Sequence, residues 1–409
     1  MTTDVLLIGG GVASASAASE LRAQGFAGSI TLLTRELQPP YHRPPVTKEL
    51  LTGRAEGDDV LVHPAEWYVD HDIELRTRAG VTALDPEARQ VKLATKEEIT
   101  FDQALIATGA MVRRLQVDGA QLEGIHYLRA PGNAAALRKD LEDAQHAVVV
   151  GGSFVATEVA ASLIAAGTRC TLVMQEARPL ERAFGGFVGG IVAEHLERRG
   201  VAIIGGEDVV TMEGDERVTG VVTASRRRIA GDVVVVGAGA VPDAGLAARA
   251  GLDIGETGGV RCDAHLATSA AGIYAAGDVC EYDSVVHGRR IRVEHEEHAA
   301  AQGRTAARNM LGQAVEHREV PYFWTDLADW LTLEYVGAAA RWDAEVVSGD
   351  PAGRFTVWYL DGDRVVAALT AGRSADLDVA RELIATGATA ASLAERGIDA
   401  APAAVGVAR

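Results

Sequence analysis

Short, wholly apolar runs, each stopped by glycine and followed by an alanine-rich stretch, set the texture of the first two thirds of the chain. Val5-Leu6-Leu7-Ile8 has no polar alternation, which predicts a strand covered on both faces, as in a parallel sheet. Gly9-Gly10-Gly11-Val12-Ala13-Ser14 follows, and the pattern then predicts a helix over 15–24 and a strand over 29–34. The same unit returns 142 residues later. Ala147-Val148-Val149-Val150 leads into Gly151-Gly152-Ser153-Phe154-Val155-Ala156, with a helix over 157–166 and a strand over 169–174. Between the units, Tyr41–Lys48 reads as a proline-stiffened loop, 73–77 and 90–93 as short strands, and 102–107 as an apolar strand ending at Ala107-Thr108-Gly109. Further buried strands end at Gly237-Ala238-Gly239 and at Gly277-Asp278. From about Pro321 the apolar positions alternate, which predicts strands over 354–360 and 364–369 and then a helix over 376–386. Residues 399–409 are rich in Ala and Pro and are expected to fray.

The 409 residues allow several domains, each with a full core. A net charge of −18 argues against a general nucleic-acid partner, because phosphate contact needs a basic face. Met1-Thr2-Thr3-Asp4 carries no basic n-region and no apolar run is long enough to span a bilayer, so the expected location is the cytoplasm, with no membrane partner. Cys170, Cys262 and Cys280 are widely spaced and form no CxxC pair. That reading excludes a disulfide framework, a zinc ribbon and a dithiol redox centre.

Gly9-x-Gly11-x-x-Ser14 has the spacing of a dinucleotide fingerprint. The first glycine allows the tight turn, the second allows close backbone approach to a diphosphate, and the third position needs a small residue. Glu36, after the next strand, is the candidate for the ribose hydroxyls. Gly151-x-Ser153-x-x-Ala156 is weaker: Ser153 either donates toward a phosphate or crowds it. Met174-Gln175 stands where a second ribose acid is expected, with Glu176 beyond, and Arg178 and Arg182 are the nearby cations for a 2′-phosphate. Asp278 reads equally as a ribityl ligand or as a helix N-cap. Taken alone, Lys48 is a surface lysine, and Glu158 either faces solvent or pairs in a buried site. His295-Glu296-Glu297-His298 lacks the i, i+4 histidines of a metalloprotease helix and reads as a solvated helix start, so no metal is expected. Arg226-Arg227-Arg228 reads as a solvated turn and Cys280 as a packed apolar group.

In this order, the motifs resemble those of the flavoprotein pyridine-nucleotide oxidoreductases. Arg43-Pro44-Pro45-Val46-Thr47-Lys48 resembles the Arg-Pro-Pro-Leu-Ser-Lys motif of the oxygenase-coupled ferredoxin reductases and the apoptosis-inducing-factor group. Val293-Glu294-His295, Ala299–Gly303 and Pro321-Tyr322-Phe323-Trp324-Thr325-Asp326 resemble later motifs of the same family. The resemblance implies an α/β fold with two Rossmann-like dinucleotide-binding domains and a C-terminal α+β domain. The FAD domain is expected over 1–111 and 240–320, the NAD(P) domain over 112–239 and the C-terminal domain over 321–409. It also implies FAD, with NADH or NADPH as donor. Lys48 would lie near the flavin N5 and pair with Glu158, Arg43, Val81, Arg129 and Asp278 would line the FAD site, and Glu296 would reach the isoalloxazine. Trp324 enters the site by the same resemblance. Relatives often carry Trp in place of Glu296, and NADH-preferring relatives usually carry Glu in place of Met174.

The function so implied is an NAD(P)H-dependent reductase that feeds a [2Fe–2S] ferredoxin serving a cytochrome P450 or ring-hydroxylating dioxygenase, the enzyme being a monomer or homodimer. Ferredoxins are usually acidic, so docking needs a basic patch, for which Arg289, Arg290, Arg292, Arg304 and Arg308 are candidates. Two alternatives stay open: an NAD(P)H oxidase or quinone reductase without a protein acceptor, and a redox-sensing flavoprotein like apoptosis-inducing factor. Without CxxC, the disulfide relay of the glutathione and thioredoxin reductases is excluded.

Overall fold

The computed structural model describes residues 2–403. The chain divides into two compact units, one built from the residues up to His42 with Asp58–Met111 and Val241–Phe323, the other from Arg43–Gly57, Val112–Ala240 and the residues from Trp324 on.

In the first unit, Thr2–Ile8 is the central strand of a parallel sheet, with Ile30–Leu33 and then Ile73–Arg76 on one side and Glu98–Ile106 on the other. Leu7 faces Leu32 and Leu105 across the sheet, and Val5–Ile8 are all buried. The unalternating apolar run therefore reflects cover on both faces. The outer edge of Glu98–Ile106 takes the antiparallel Gln90–Leu93 at its start and the parallel Ile273–Ala275 at its end. The helix Val12–Ala23 packs along the helix Glu296–Met310 so closely that a Cβ on Gly303 would stand 2.2 Å from the Ala13 carbonyl oxygen. Alanine and glycine at this crossing let the backbones approach.

The second unit repeats the plan. Its parallel sheet runs Ala202–Ile204, Arg169–Val173, His146–Val150, Val233–Val236, Ile125–His126. An antiparallel meander of Val209–Gly214, Val218–Thr223 and Arg228–Ala230 packs beneath it through Met212, Val221 and Ile229. Arg226 and Arg227 are exposed on the last turn of this meander, as expected of a basic run. The alternating C-terminal segment forms a six-stranded sheet backed by the helix Ala375–Thr386.

Both fingerprint helices begin three residues earlier than the periodicity predicts, at Val12 and Phe154. Gly11 and Ser153 are their N-caps in extended backbone, so the helix starts directly from the glycine turn. The frayed tail is also corrected in part. Ala401–Pro402 pairs with Val346 and Val347 as an edge strand, while 404–409 lie outside the described residues.

Candidate functional site

The first fingerprint is tight where it meets the sheet and open where a ligand would lie. Gly9 has φ 131°, and a Cβ there would stand 2.1 Å from the Ala107 carbonyl oxygen, so only glycine fits. A Cβ on Gly11 would meet nothing within 4 Å, and the helix behind it has no side-chain cap. Val12 and Ala13 thus open the helix with free backbone donors at its positive end, and the buried Ser14 hydroxyl finds no partner among the described residues. This cradle suits a diphosphate. Glu36 stands three residues past Leu33 and accepts from the Tyr41 hydroxyl at 2.5 Å. Thr108 donates to the Asp243 carbonyl at 2.7 Å, and Gly109 turns the chain with φ 72°.

Gly277 donates to Gln302 Oε1 at 2.7 Å, and its α-carbon faces Ala13 and Ala299. That contact carries Asp278 to the fingerprint turn. A strand, Cys280–Ser284, follows Asp278, so the N-cap reading fails. Val81 opens the strand Val81–Asp85 in the same unit. Glu296 is the first residue of its helix, and its Oε1 lies 2.7 Å from His42 Nδ1. The bond to Glu296 raises the His42 pKa, burial opposing it.

Lys48 is 6% exposed, which overturns its reading as a surface residue. Its Nζ lies 3.0 Å from Asp326 Oδ2 and 3.4 Å from Glu158 Oε1. Thr47 and Thr325 donate to the two oxygens of Glu158 at 2.6 and 2.7 Å, and Thr332 holds Asp326 at 2.7 Å. Ser162, on the helix that carries Glu158, donates to the Thr47 carbonyl at 2.8 Å and pins the proline-rich loop there. Burial would lower the Lys48 pKa, but Glu158 and Asp326 outweigh it, so the lysine stays charged above its ordinary value. Burial raises Glu158 against the pull of Lys48 and the two hydroxyls. Arg43 donates to the Arg129 carbonyl at 3.0 Å, which brings those two predicted residues together. Trp324 is the immediate neighbour of Thr325 in their strand.

At the second fingerprint, Gly151 has φ 121° and abuts the Gly237 carbonyl as Gly9 abuts Ala107. The Ser153 hydroxyl donates to the Gly237 carbonyl at 2.7 Å. Phe154 meets Phe184 edge-on at 5.5 Å, and Val155 is half-buried beside it. Ala238 packs against the sheet core and Gly239 accepts from the Arg113 amide at 2.9 Å. Met174 is buried while Gln175 is exposed. This turn, too, suits a diphosphate.

Several expectations change. Thr47, Thr325 and Asp326 join Lys48 and Glu158, and the motif runs 43–48 and 321–326 already contained them, while His42 joins Glu296 in the first unit. His298 is 2% exposed and faces Tyr282 and His317, and His295 stacks on Phe323 at 3.7 Å, so this is no solvated helix start. No group of three or more His, Cys, Asp or Glu among the described residues could hold a metal ion. Three of the proposed docking arginines are matched by acids: Arg290 by Asp283 at 2.7 Å, Arg292 by Glu294 at 2.5 Å and Arg308 by Glu20 at 2.7 Å. Cys262 and Cys280 lie far apart in sequence, yet their strands are neighbours and their thiols interact. Both are buried free thiols, and burial, then Cys262, pushes the Cys280 thiol well up, which keeps it unreactive. No helix among the described residues is long and apolar enough to cross a membrane.

Two diphosphate turns on parallel sheets and a buried charged lysine define a two-nucleotide flavoprotein oxidoreductase. The family model for pyridine nucleotide-disulphide oxidoreductases matches residues 3–303 and that for the reductase C-terminal domain matches 322–401. The chain belongs to that family, and the enzyme is an NAD(P)H-dependent flavoprotein oxidoreductase that uses FAD and a nicotinamide cofactor. It is 34% identical to rhodocoxin reductase of Rhodococcus erythropolis over 93% of this chain and 89% of that one. The ferredoxin reductase for the CYP199A2 system from Rhodopseudomonas palustris superposes with a TM-score of 0.90 at 30% identity, over 94% of this chain and 95% of that one. Putidaredoxin reductase in its covalent complex with putidaredoxin superposes with a TM-score of 0.89 at 31% identity, over 94% and 93%.

Proposed function

We propose that this enzyme is an NAD(P)H:ferredoxin reductase that supplies a [2Fe–2S] ferredoxin serving a P450 or ring-hydroxylating dioxygenase. The observation that carries the reading is the combination of two glycine turns, each closed against a neighbouring strand end at Gly9 and Gly151, with three cysteines that are all buried thiols. A disulfide relay has no exposed sulfur to use, so electrons leave by another route. The names of the relatives, ferredoxin and rhodocoxin reductases, support a small redox protein as acceptor.

FAD, when bound, takes hydride from the nicotinamide and releases electrons singly. The first unit's fingerprint, with Glu36, Val81 and Asp278, is the FAD cradle in this reading, joined by Arg43 and Arg129. The second, with Gly151–Val155, Gln175, Ala238 and Gly239, takes the nicotinamide nucleotide. Lys48 supplies a fixed positive charge for the reduced cofactor, and Glu158 and Asp326 hold the ammonium in place. The domain division follows the same roles: 1–111 and 240–320 for FAD, 112–239 for the nicotinamide nucleotide, 321–409 as the C-terminal domain.

An oxidase or quinone reductase is the second reading. It is favoured by the hydrogen-bonded His42–Glu296 pair, which stands where relatives often carry an aromatic plate. Anaerobic reduction of the yellow protein by NADH or NADPH, followed by addition of [2Fe–2S] ferredoxins, separates the two. Colour recovery as a ferredoxin is reduced supports the reductase. Bleaching without recovery on any ferredoxin, with rapid oxidation by oxygen or quinone, supports the second reading.

A further inference from the structure

The two halves of the molecule follow one template, and the template shows what replaces the missing ribose acid. In the first unit Ile8, just before the glycine turn, pairs with Leu33, and three residues past Leu33 stands Glu36. In the second, Val150, just before its glycine turn, pairs with Val173, and three residues past Val173 stands Glu176. Met174, directly after the strand, is 1% exposed with its Sδ 3.2 Å from where a Cβ on Gly152 would stand, and its thioether carries no charge with which to hold a ribose hydroxyl. Glu176 instead reaches back over the turn. Its Oε2 lies 2.9 Å from where a Cβ on Gly152 would stand. Arg182 holds the other oxygen at 2.9 Å and is itself 78% exposed. Arg178, the second cation nearby, is committed to the Gly186 carbonyl at 2.7 Å.

We propose that Glu176 sets the nucleotide preference: its carboxylate accepts from the ribose hydroxyls of NADH and repels the 2′-phosphate of NADPH. The proposal rests on the reading of the second fingerprint as the nicotinamide-nucleotide site. A carboxylate beside the turn is the device by which such sites select an unphosphorylated ribose, whereas an arginine left free there selects the phosphorylated one. Here the arginine is held by the acid.

Isothermal titration of the holoenzyme with ADP-ribose and with 2′-phospho-ADP-ribose tests this without any redox turnover. The wild type should bind ADP-ribose at least about tenfold more tightly, the scale of one charge-assisted hydrogen bond. Glu176→Gln should weaken ADP-ribose by about 5- to 10-fold and close most of the gap. Arg182→Ala should leave the preference in place. Retained flavin absorbance certifies the fold of each variant. Equal affinities in the wild type, or a preference that survives Glu176→Gln, would overturn the assignment. So would tighter binding of the 2′-phosphate that vanishes in Arg182→Ala. If neither fragment binds, the reading of the second fingerprint fails and this proposal fails with it; binding without discrimination overturns this proposal alone.

Discussion

Acidification should loosen the first unit through histidines that fold neutral. His317 is 1% exposed, and burial, with Arg304 nearby, pushes its pKa down to about 4. In the unfolded chain it titrates near its ordinary value of 6.5. Between those values the unfolded state binds a proton that the folded state refuses, so stability falls as the pH falls. From about pH 7 to about pH 5 this ring alone removes roughly 2 kcal/mol. His287 is held down to about 4 and His295 to about 3, each by burial first, and His298 lies well below its ordinary value for the same reason. All act in the same direction. His42, raised by Glu296, opposes them, because a group raised in the folded state favours folding in its protonated form. The sum is comparable with the whole stability of a domain, about 5–15 kcal/mol. His298 and Gln302 share one helix, and Gln302 holds Gly277, so flavin release should accompany the loss. The assay is urea unfolding of the holoenzyme with free-flavin fluorescence as the readout, across about pH 5 to 7. Carboxylates lowered by pairing, such as Glu97, titrate below this window and do not confound it. A urea midpoint that stays flat from about pH 7 to about pH 5, or a slope unchanged in His317→Asn, would refute the reasoning.

Lys48→Met should leave Glu158 buried without its counter-charge and cost about 3–5 kcal/mol, read as a lowered urea midpoint, with a lower reduction potential for the bound flavin; the double variant Lys48→Met with Glu158→Gln should recover much of the stability but not the potential. Gly303→Ala should abolish flavin retention during purification, because its Cβ would stand 2.2 Å from the Ala13 carbonyl oxygen; a yellow, fully loaded variant would show that the helix crossing gives way.

What the sequence disclosed was local. Gly9 and Gly151 announce themselves because backbone geometry forces the residue type, and Val5–Ile8 because burial on both faces leaves no polar position. What it concealed depends on contacts between distant segments. Lys48 alone is indistinguishable from any surface lysine until Glu158 and Asp326 are brought to it. Arg290, Arg292 and Arg308 look free in a linear count and are matched by acids in space. Cys262 and Cys280 look isolated because the pairing of two parallel strands leaves no spacing rule. Glu176 was visible but stood two positions beyond the expected one, and only the register shared by the two sheets explains why that position serves.

The crossing of Gly303 over Ala13 also sets a clock on the ribosome. The turn that receives the flavin is encoded in the opening residues, yet the helix that braces it is among the last parts of its unit to be made. At about 5–20 residues per second, roughly 15–60 s separate the emergence of the glycine turn from that of its brace. The intervening segment 112–240 has its own sheet and can fold in the meantime. Cofactor capture is therefore a late event in the life of the nascent chain. A message truncated before the brace should yield a colourless product even though it encodes the whole fingerprint.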